Sequence, residues 1–184
     1  DGAWFYSDSH NDLPLLELIA KGGAWPEGMV YDWISNWPRV KAIEAWRTVT
    51  GETLFESTGW FRNRLGYMLL HQWPGQGEQW GNFYHPYVSM GDSERDRGSM
   101  TNYGRIMALI LVSRYSGDPV AFQLQGYLAA PPVNRSMDFI CQEEFLWFDP
   151  NIGSSTPKLL THYSEGTGTL FMRSGWPDGS ADTH

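Results

Sequence analysis

Apolar residues recur every three positions at Trp37, Val40, Ile43 and Trp46, with Arg39, Lys41, Glu44 and Arg47 set on the other faces. That spacing predicts an amphipathic helix, and Gly51 directly after it supplies the stop. Phe61, Leu65, Met68, Leu69 and Trp73 mark a second helix, closed by Pro74-Gly75. Ile106 to Val112 is apolar at every position, the pattern of a helix buried on most sides. Gly117 ends it, and Asp118-Pro119 reads as an N-cap followed by proline at the first helical position. Val120, Leu124, Tyr127 and Leu128 continue the helix so started, and Ser136 to Phe148 predicts another, closed by Asp149-Pro150. Two junctions resemble each other: Arg47 to Glu52 and Arg114 to Asp118 each join a helix end, a glycine turn and an acidic cap. Stacked antiparallel helical hairpins would produce such a repeat.

The register changes after Pro150. Ile152 to Pro157 reads as a linker, and Leu159 to Tyr163 and Thr169 to Arg173 are short β-prone runs around Glu165-Gly166-Thr167-Gly168. They predict a hairpin with a glycine-rich turn. Two strands do not make a stable sheet alone, so they either pack on the helices or begin a larger sheet. The predicted organisation is a helical part over residues 1–151 and a linker with β-strands over 152–184. Between the second and third helices, Gln76 to Met100 reads as a long loop holding Trp80, Phe83, Tyr84, His85, Tyr87, Asp92, Glu94, Arg95, Asp96 and Arg97. A loop of that length and composition either lines a ligand or is pinned to the surface by its own aromatics.

Composition narrows the function classes. Of 184 residues, 41% are hydrophobic and 18% charged, with 10 Trp, 9 Tyr and 9 Phe; disordered chains lack aromatics on this scale. The net charge of −8 argues against a nucleic-acid surface, which needs a basic patch. The longest apolar run, Ile106 to Val112, is far short of the ~18 residues of a membrane span. One cysteine, Cys141 in an apolar setting, excludes an intrachain disulfide framework and reads as a buried, inert thiol. His71, His85 and His162 lack the i to i+4 partners of a metal site, so neither metal nor cofactor is expected. The chain begins at Asp1 rather than methionine and reads as a piece of something longer.

The sharpest local feature is Gly23-Ala24-Trp25-Pro26-Glu27-Gly28-Met29-Val30-Tyr31-Asp32-Trp33. A glycine-rich turn presents Glu27 just before a helix start, and Tyr31 follows one turn later. A phenol beside a carboxylate at the mouth of a helical bundle is an acid/base candidate. The same residues also have a structural explanation, in which Glu27 favours the helix dipole and Tyr31 fills a gap.

Trp25-Pro26-Glu27-Gly28-x-x-Tyr31 resembles the Glu-Gly-x-x-Tyr segment of the heparinase II/III-like polysaccharide lyases, which include related alginate lyases. Gly168 to Trp176 resembles the strand with which that family enters its β-sandwich, and Gly91-Asp92-Ser93 resembles a loop signature of its toroid. The resemblance implies a mainly α fold: helical hairpins of an incomplete (α/α) toroid, then the first strands of an antiparallel β-sandwich. It implies β-elimination on a uronic-acid-containing glycan, with Tyr31 as the catalytic residue and Glu27, Trp25, Trp33, Trp80, His85, Asp92 and Arg95 as substrate-binding candidates. The family's histidine-rich segment would follow the last strand, beyond His184, and its upstream Asn/His pair finds no match, since His10-Asn11 stands too close to Glu27.

The chemistry has definite requirements. Removing the C5 proton of a uronate demands neutralisation of the adjacent carboxylate, and a phenol, ordinarily of pKa about 10, needs positive charge to act as a base. Arg39, Arg95 and Arg97 are the suppliers by sequence. Trp25, Trp33 and Trp80 offer flat faces for sugar rings. The expected partner is an acidic polysaccharide or oligosaccharide, not nucleic acid or membrane, with a homo-oligomer left open. The expected location is periplasmic or secreted, because polysaccharides meet enzymes outside the cytoplasm. Two alternatives stand beside this: a toroidal glycoside hydrolase pairing Glu27 with Asp92 or Glu94 at ~5 Å or ~6.5–9.5 Å, and a non-catalytic glycan-binding module.

Overall fold

The computed structural model describes residues 21–26, 28–72, 77–79, 82–84, 88, 102–129 and 137–176. It is mainly helical: α1 (Met29–Thr50), α2 (Trp60–Leu70), α3 (Asn102–Arg114), α4 (Pro119–Ala129) and α5 (Met137–Trp147). Among the described residues there are also two antiparallel strand pairs, β1 (Gly77–Gln79) with β2 (Asn82–Tyr84) and β3 (Thr161–Ser164) with β4 (Thr169–Met172). The segment read as an uninterrupted loop from Gln76 to Met100 therefore contains a short strand pair, with Gly77 opposite Tyr84.

The turn at Gly28 and the periodic run from Trp37 are two parts of one helix. Gly28 takes φ 84° at the start, and Gly51 takes φ 77° at the end, where its N–H bonds the Arg47 carbonyl. Pro38 lies inside α1; it removes the bond to the Ile34 carbonyl, and both Pro38 and Ile34 are exposed, so water can meet the freed group. The buried stripe differs from the expected one. Trp37 and Trp46 are nine residues apart, which at 100° per residue puts them on opposite sides, and Trp46 is 49% exposed. The face that packs is Asp32, Asn36, Val40 and Glu44, spaced by four and all buried. Glu44, expected on an outer face, is buried and pairs with Arg47 (2.9 Å) and Arg114 (3.6 Å).

α3 lies at the centre, packed against α1, α2, α4 and α5, and Ile106 through Val112 are all buried. Its uniform apolarity is what that position demands. The turn into α4 is capped as the sequence predicts: the Asp118 carboxylate accepts the Val120 N–H at 2.8 Å. The two similar junctions diverge in detail, since Gly51 is left-handed and Gly117 is not.

The β3–β4 hairpin packs on the helices through one face. His162, Ser164 and Phe171 point inward, while Tyr163, Leu170 and Met172 are exposed. Gly66 of α2 makes room for it: a Cβ there would stand 2.7 Å from His162 Nδ1. The Ser164 hydroxyl donates to the Gly22 carbonyl at 2.8 Å. Arg173, just past β4, caps the C-terminal carbonyls of α2, with Nη2 3.1 Å from the Leu70 oxygen and 3.4 Å from the Leu69 oxygen. A cation here also matches the negative end of the helix dipole.

Candidate functional site

The loop before α1 carries the motif that the sequence singles out, and it lies directly on α2. Gly23 has φ 75°, and a Cβ there would stand 2.5 Å from the Arg64 backbone nitrogen. No other residue tolerates both the left-handed backbone and that approach. Arg64 then ties the loop down. Its Nη1 donates to the Gly23 carbonyl at 2.7 Å, its Nη2 pairs with the Asp32 carboxylate, and its guanidinium lies over the rings of Trp60 (4.5 Å) and Tyr67 (5.1 Å). The side chains of Asp32 and Arg64 are both 0% exposed.

From Asp32 the network runs back to the loop. Asn36 Nδ2 donates to Asp32 Oδ1 at 2.6 Å, and Arg39 Nη1 donates to Asn36 Oδ1 at 3.1 Å. The Arg39 guanidinium lies over the Trp25 ring, 5.2 Å from its centroid. Burial pushes the Asp32 carboxyl above the ordinary carboxylate value, while Arg64, Asn36 and Arg39 pull it back. Burial lowers the Arg39 guanidinium, and Asp32 opposes that. The Tyr67 phenol is pushed far up, by burial first and then by the Asp32 charge, so it remains neutral at the centre of this cluster.

Of the residues named from sequence, Trp25 is half-buried beside Arg39. Tyr31 stands on the first turns of α1 and is 46% exposed, so it does not fill a gap in the core. Among the described residues no group hydrogen-bonds its hydroxyl. Trp33 is a correction to the platform reading: it is 1% exposed and lies flat against Gly104 of α3, where a Cβ would meet its ring at 2.9 Å. No sugar can reach that face. Glu27, Trp80, His85, Asp92 and Arg95 lie outside the described residues, as do Glu94 and Arg97.

Asp32, Asn36 and Arg64 are the residues that sequence reading missed. A signal was present. Asp32 and Asn36 share the helix face of Val40, so placing any core face there buries two polar groups that then require partners. Arg64, one turn after Trp60 in the helix of Leu65, Met68 and Leu69, was the matching cation. Among the described residues no cluster of three His, Cys, Asp or Glu side chains could hold a metal ion, and no helix is long and apolar enough to cross a membrane. Compared with protein-family models, curated protein sequences and solved structures, the chain finds no match.

Proposed function

We propose that this chain is the helical part of a polysaccharide lyase that cleaves uronic-acid-containing glycans by β-elimination, with Tyr31 as the proton-transferring residue. The observation that carries this reading is the placement of Tyr31: a solvent-facing phenol on a helix whose entry loop is locked from beneath by the buried Arg64–Asp32 pair. A catalytic phenol has to be reachable and held, and these two features supply both requirements. The Glu-Gly-x-x-Tyr resemblance supplies the choice of chemistry.

In this mechanism the substrate carboxylate is neutralised, the Tyr31 phenolate takes the C5 proton, and the phenol so formed gives that proton to O4 as the C4–O4 bond breaks and the C4–C5 double bond forms. Arg39 is the described cation best placed to assist. It follows Tyr31 by two helical turns, about 12 Å along the axis, and its side chain leans back toward the start of the helix, where it meets Trp25. Trp25 and Arg39 bind sugar, Glu27 shapes the loop or binds hydroxyls, and Trp80, His85, Asp92 and Arg95 are the further substrate-binding candidates. The helices belong to an incomplete (α/α) toroid and β3–β4 opens an antiparallel β-sandwich, in an enzyme exported to the periplasm or beyond.

Tyr31→Phe tests the assignment. The substitution removes a half-exposed hydroxyl and little volume, so the unfolding temperature stays constant. The rate of double-bond formation falls roughly 10²–10⁴-fold, the usual loss for a general acid or base. Undiminished turnover refutes the role.

A further inference from the structure

Where the loop between α1 and α2 meets the turn between α3 and α4, a cavity of about 360 Å³ opens to solvent, lined by Glu56, Arg62, Tyr115, Gly117, Asp118 and Pro119. Two bonds join the segments there. The Tyr115 hydroxyl donates to the Phe55 carbonyl at 2.8 Å, and Arg62 Nε donates to Asp118 Oδ2 at 2.8 Å. Asp118 is engaged at both oxygens, since its Oδ1 accepts the Val120 N–H at 2.8 Å. The other two charged groups are not. Arg62 is held at Nε, and among the described residues its two Nη groups have no partner. The Glu56 carboxylate has none either, and no ion pair joins it to Arg62 although both line the one cavity. Both charges also bear on the Tyr115 wall: burial pushes that phenol up, Glu56 adds to the rise and Arg62 opposes it.

We propose that this cavity binds a small zwitterion of the amino-acid class, its carboxylate on the Nη edge of Arg62 and its ammonium on Glu56. The unspent groups select the class. The free edge of a guanidinium is a two-donor fork that matches the two oxygens of a carboxylate, and the bond from Nε to Asp118 fixes the plane of that fork. Glu56 is an acceptor only and takes an ammonium. An ion of either sign alone leaves one of these charges unmatched, whereas a ligand carrying both signs satisfies each. The remaining wall adds no donor that would favour a more highly charged anion: the Tyr115 hydroxyl spends its proton on Phe55, and Pro119 has no N–H. Gly117 leaves the space clear, since a Cβ there would meet nothing within 4 Å. The cavity shares no residue with Tyr31, Trp25 or Arg39 and stands independently of the lyase reading.

Titration of the chain with glycine, β-alanine and γ-aminobutyrate at constant ionic strength, followed by the Gly117 and Asp118 backbone amide signals in 1H–15N spectra, tests the proposal. A saturable shift is expected within this series, and the member that binds most tightly reports the separation of Glu56 from the Arg62 fork. Sodium acetate and methylammonium chloride carry one charge each and should bind on the order of tenfold more weakly, for want of one charge-assisted contact. Glu56→Gln keeps the shape of an exposed side chain, so the unfolding temperature stays constant while zwitterion binding weakens on the order of tenfold. Gly117→Leu fills the cavity from a position where a side chain has room, and should abolish the response in a chain that remains folded. No saturable shift with any member of the series overturns the proposal. So does acetate binding as tightly as the best zwitterion, or a response that survives Glu56→Gln or Gly117→Leu unchanged.

Discussion

Replacing Arg64 by methionine isolates the interaction on which the site rests. The substitution keeps a long apolar stem over Trp60 and Tyr67 but removes the charge from a place where nothing is exposed. Asp32 loses its cation and the Gly23 carbonyl loses its 2.7 Å donor. Leaving one member of a buried ion pair uncompensated costs about 3–5 kcal/mol. In a chain of this size each kcal/mol moves the unfolding midpoint by roughly 2–4 °C, so the expected drop is on the order of 6–20 °C. Thermal melts followed by circular dichroism measure the drop, and urea titrations measure the free-energy cost. The double variant Asp32→Leu with Arg64→Met removes both charges and should lose less than the sum of the single variants, by about 2–3 kcal/mol. A cost below about 1 kcal/mol for Arg64→Met, or simple additivity in the double variant, would refute the pair as the anchor of the Gly23–Trp25 loop.

Two further outcomes follow from the packing. His71 is buried beside Tyr67 and Phe171, and burial lowers its imidazole to about 3. Its unfolded value is about 6.5, so between these limits the unfolded chain binds the extra proton, and the contribution of His71 is complete above 6.5 and lost as pH falls. The stability of the native chain relative to His71→Leu should therefore fall between pH 7 and pH 4, by up to about 1.4 kcal/mol per pH unit below 6.5; a difference independent of pH contradicts this, and Asp32, whose raised carboxyl acts in the opposite direction, cancels in the comparison. Gly126→Ala puts a Cβ 2.2 Å from the Ser155 carbonyl oxygen and should cost about 1–3 kcal/mol, whereas Gly117→Ala meets nothing within 4 Å and should stay within about 0.5 kcal/mol; equal effects in chemical denaturation would place the 152–157 segment elsewhere than against α4.

The elements legible from the sequence were those with a local cause. Gly51 and the Asp118-Pro119 pair mark helix ends because each satisfies backbone groups within its own turn. Ile106 to Val112 reads as buried because no face of it is polar. The β3–β4 hairpin reads from its glycine turn, where Gly168 takes φ 63°. What the sequence concealed depends on contacts between distant segments. Which face of α1 packs is decided by Arg64 and Arg114, which supply charges for Asp32 and Glu44 from other helices. An apolar spacing of three, which drifts around a helix, could not identify that face. Trp33 and Trp25 look equivalent as aromatic residues, yet Gly104 admits one ring to the core while the other meets Arg39 at the edge. Tyr31 was legible as a candidate because its neighbours are glycine-bounded; its exposure required the packed face of α1 to be known first.

The reaction type is the central claim, and the mass balance of the products tests it most directly. The protein is incubated with a polyuronate in 18O-labelled water, and any fragments are analysed by mass spectrometry together with ultraviolet absorbance. β-Elimination predicts fragments whose masses add up to the substrate with no water gained, no label incorporated by cleavage, and a new absorbance from the C4–C5 double bond conjugated to the carboxylate. Fragments that gain one labelled water per cleavage, with no new absorbance, would contradict the account and make the protein a hydrolase.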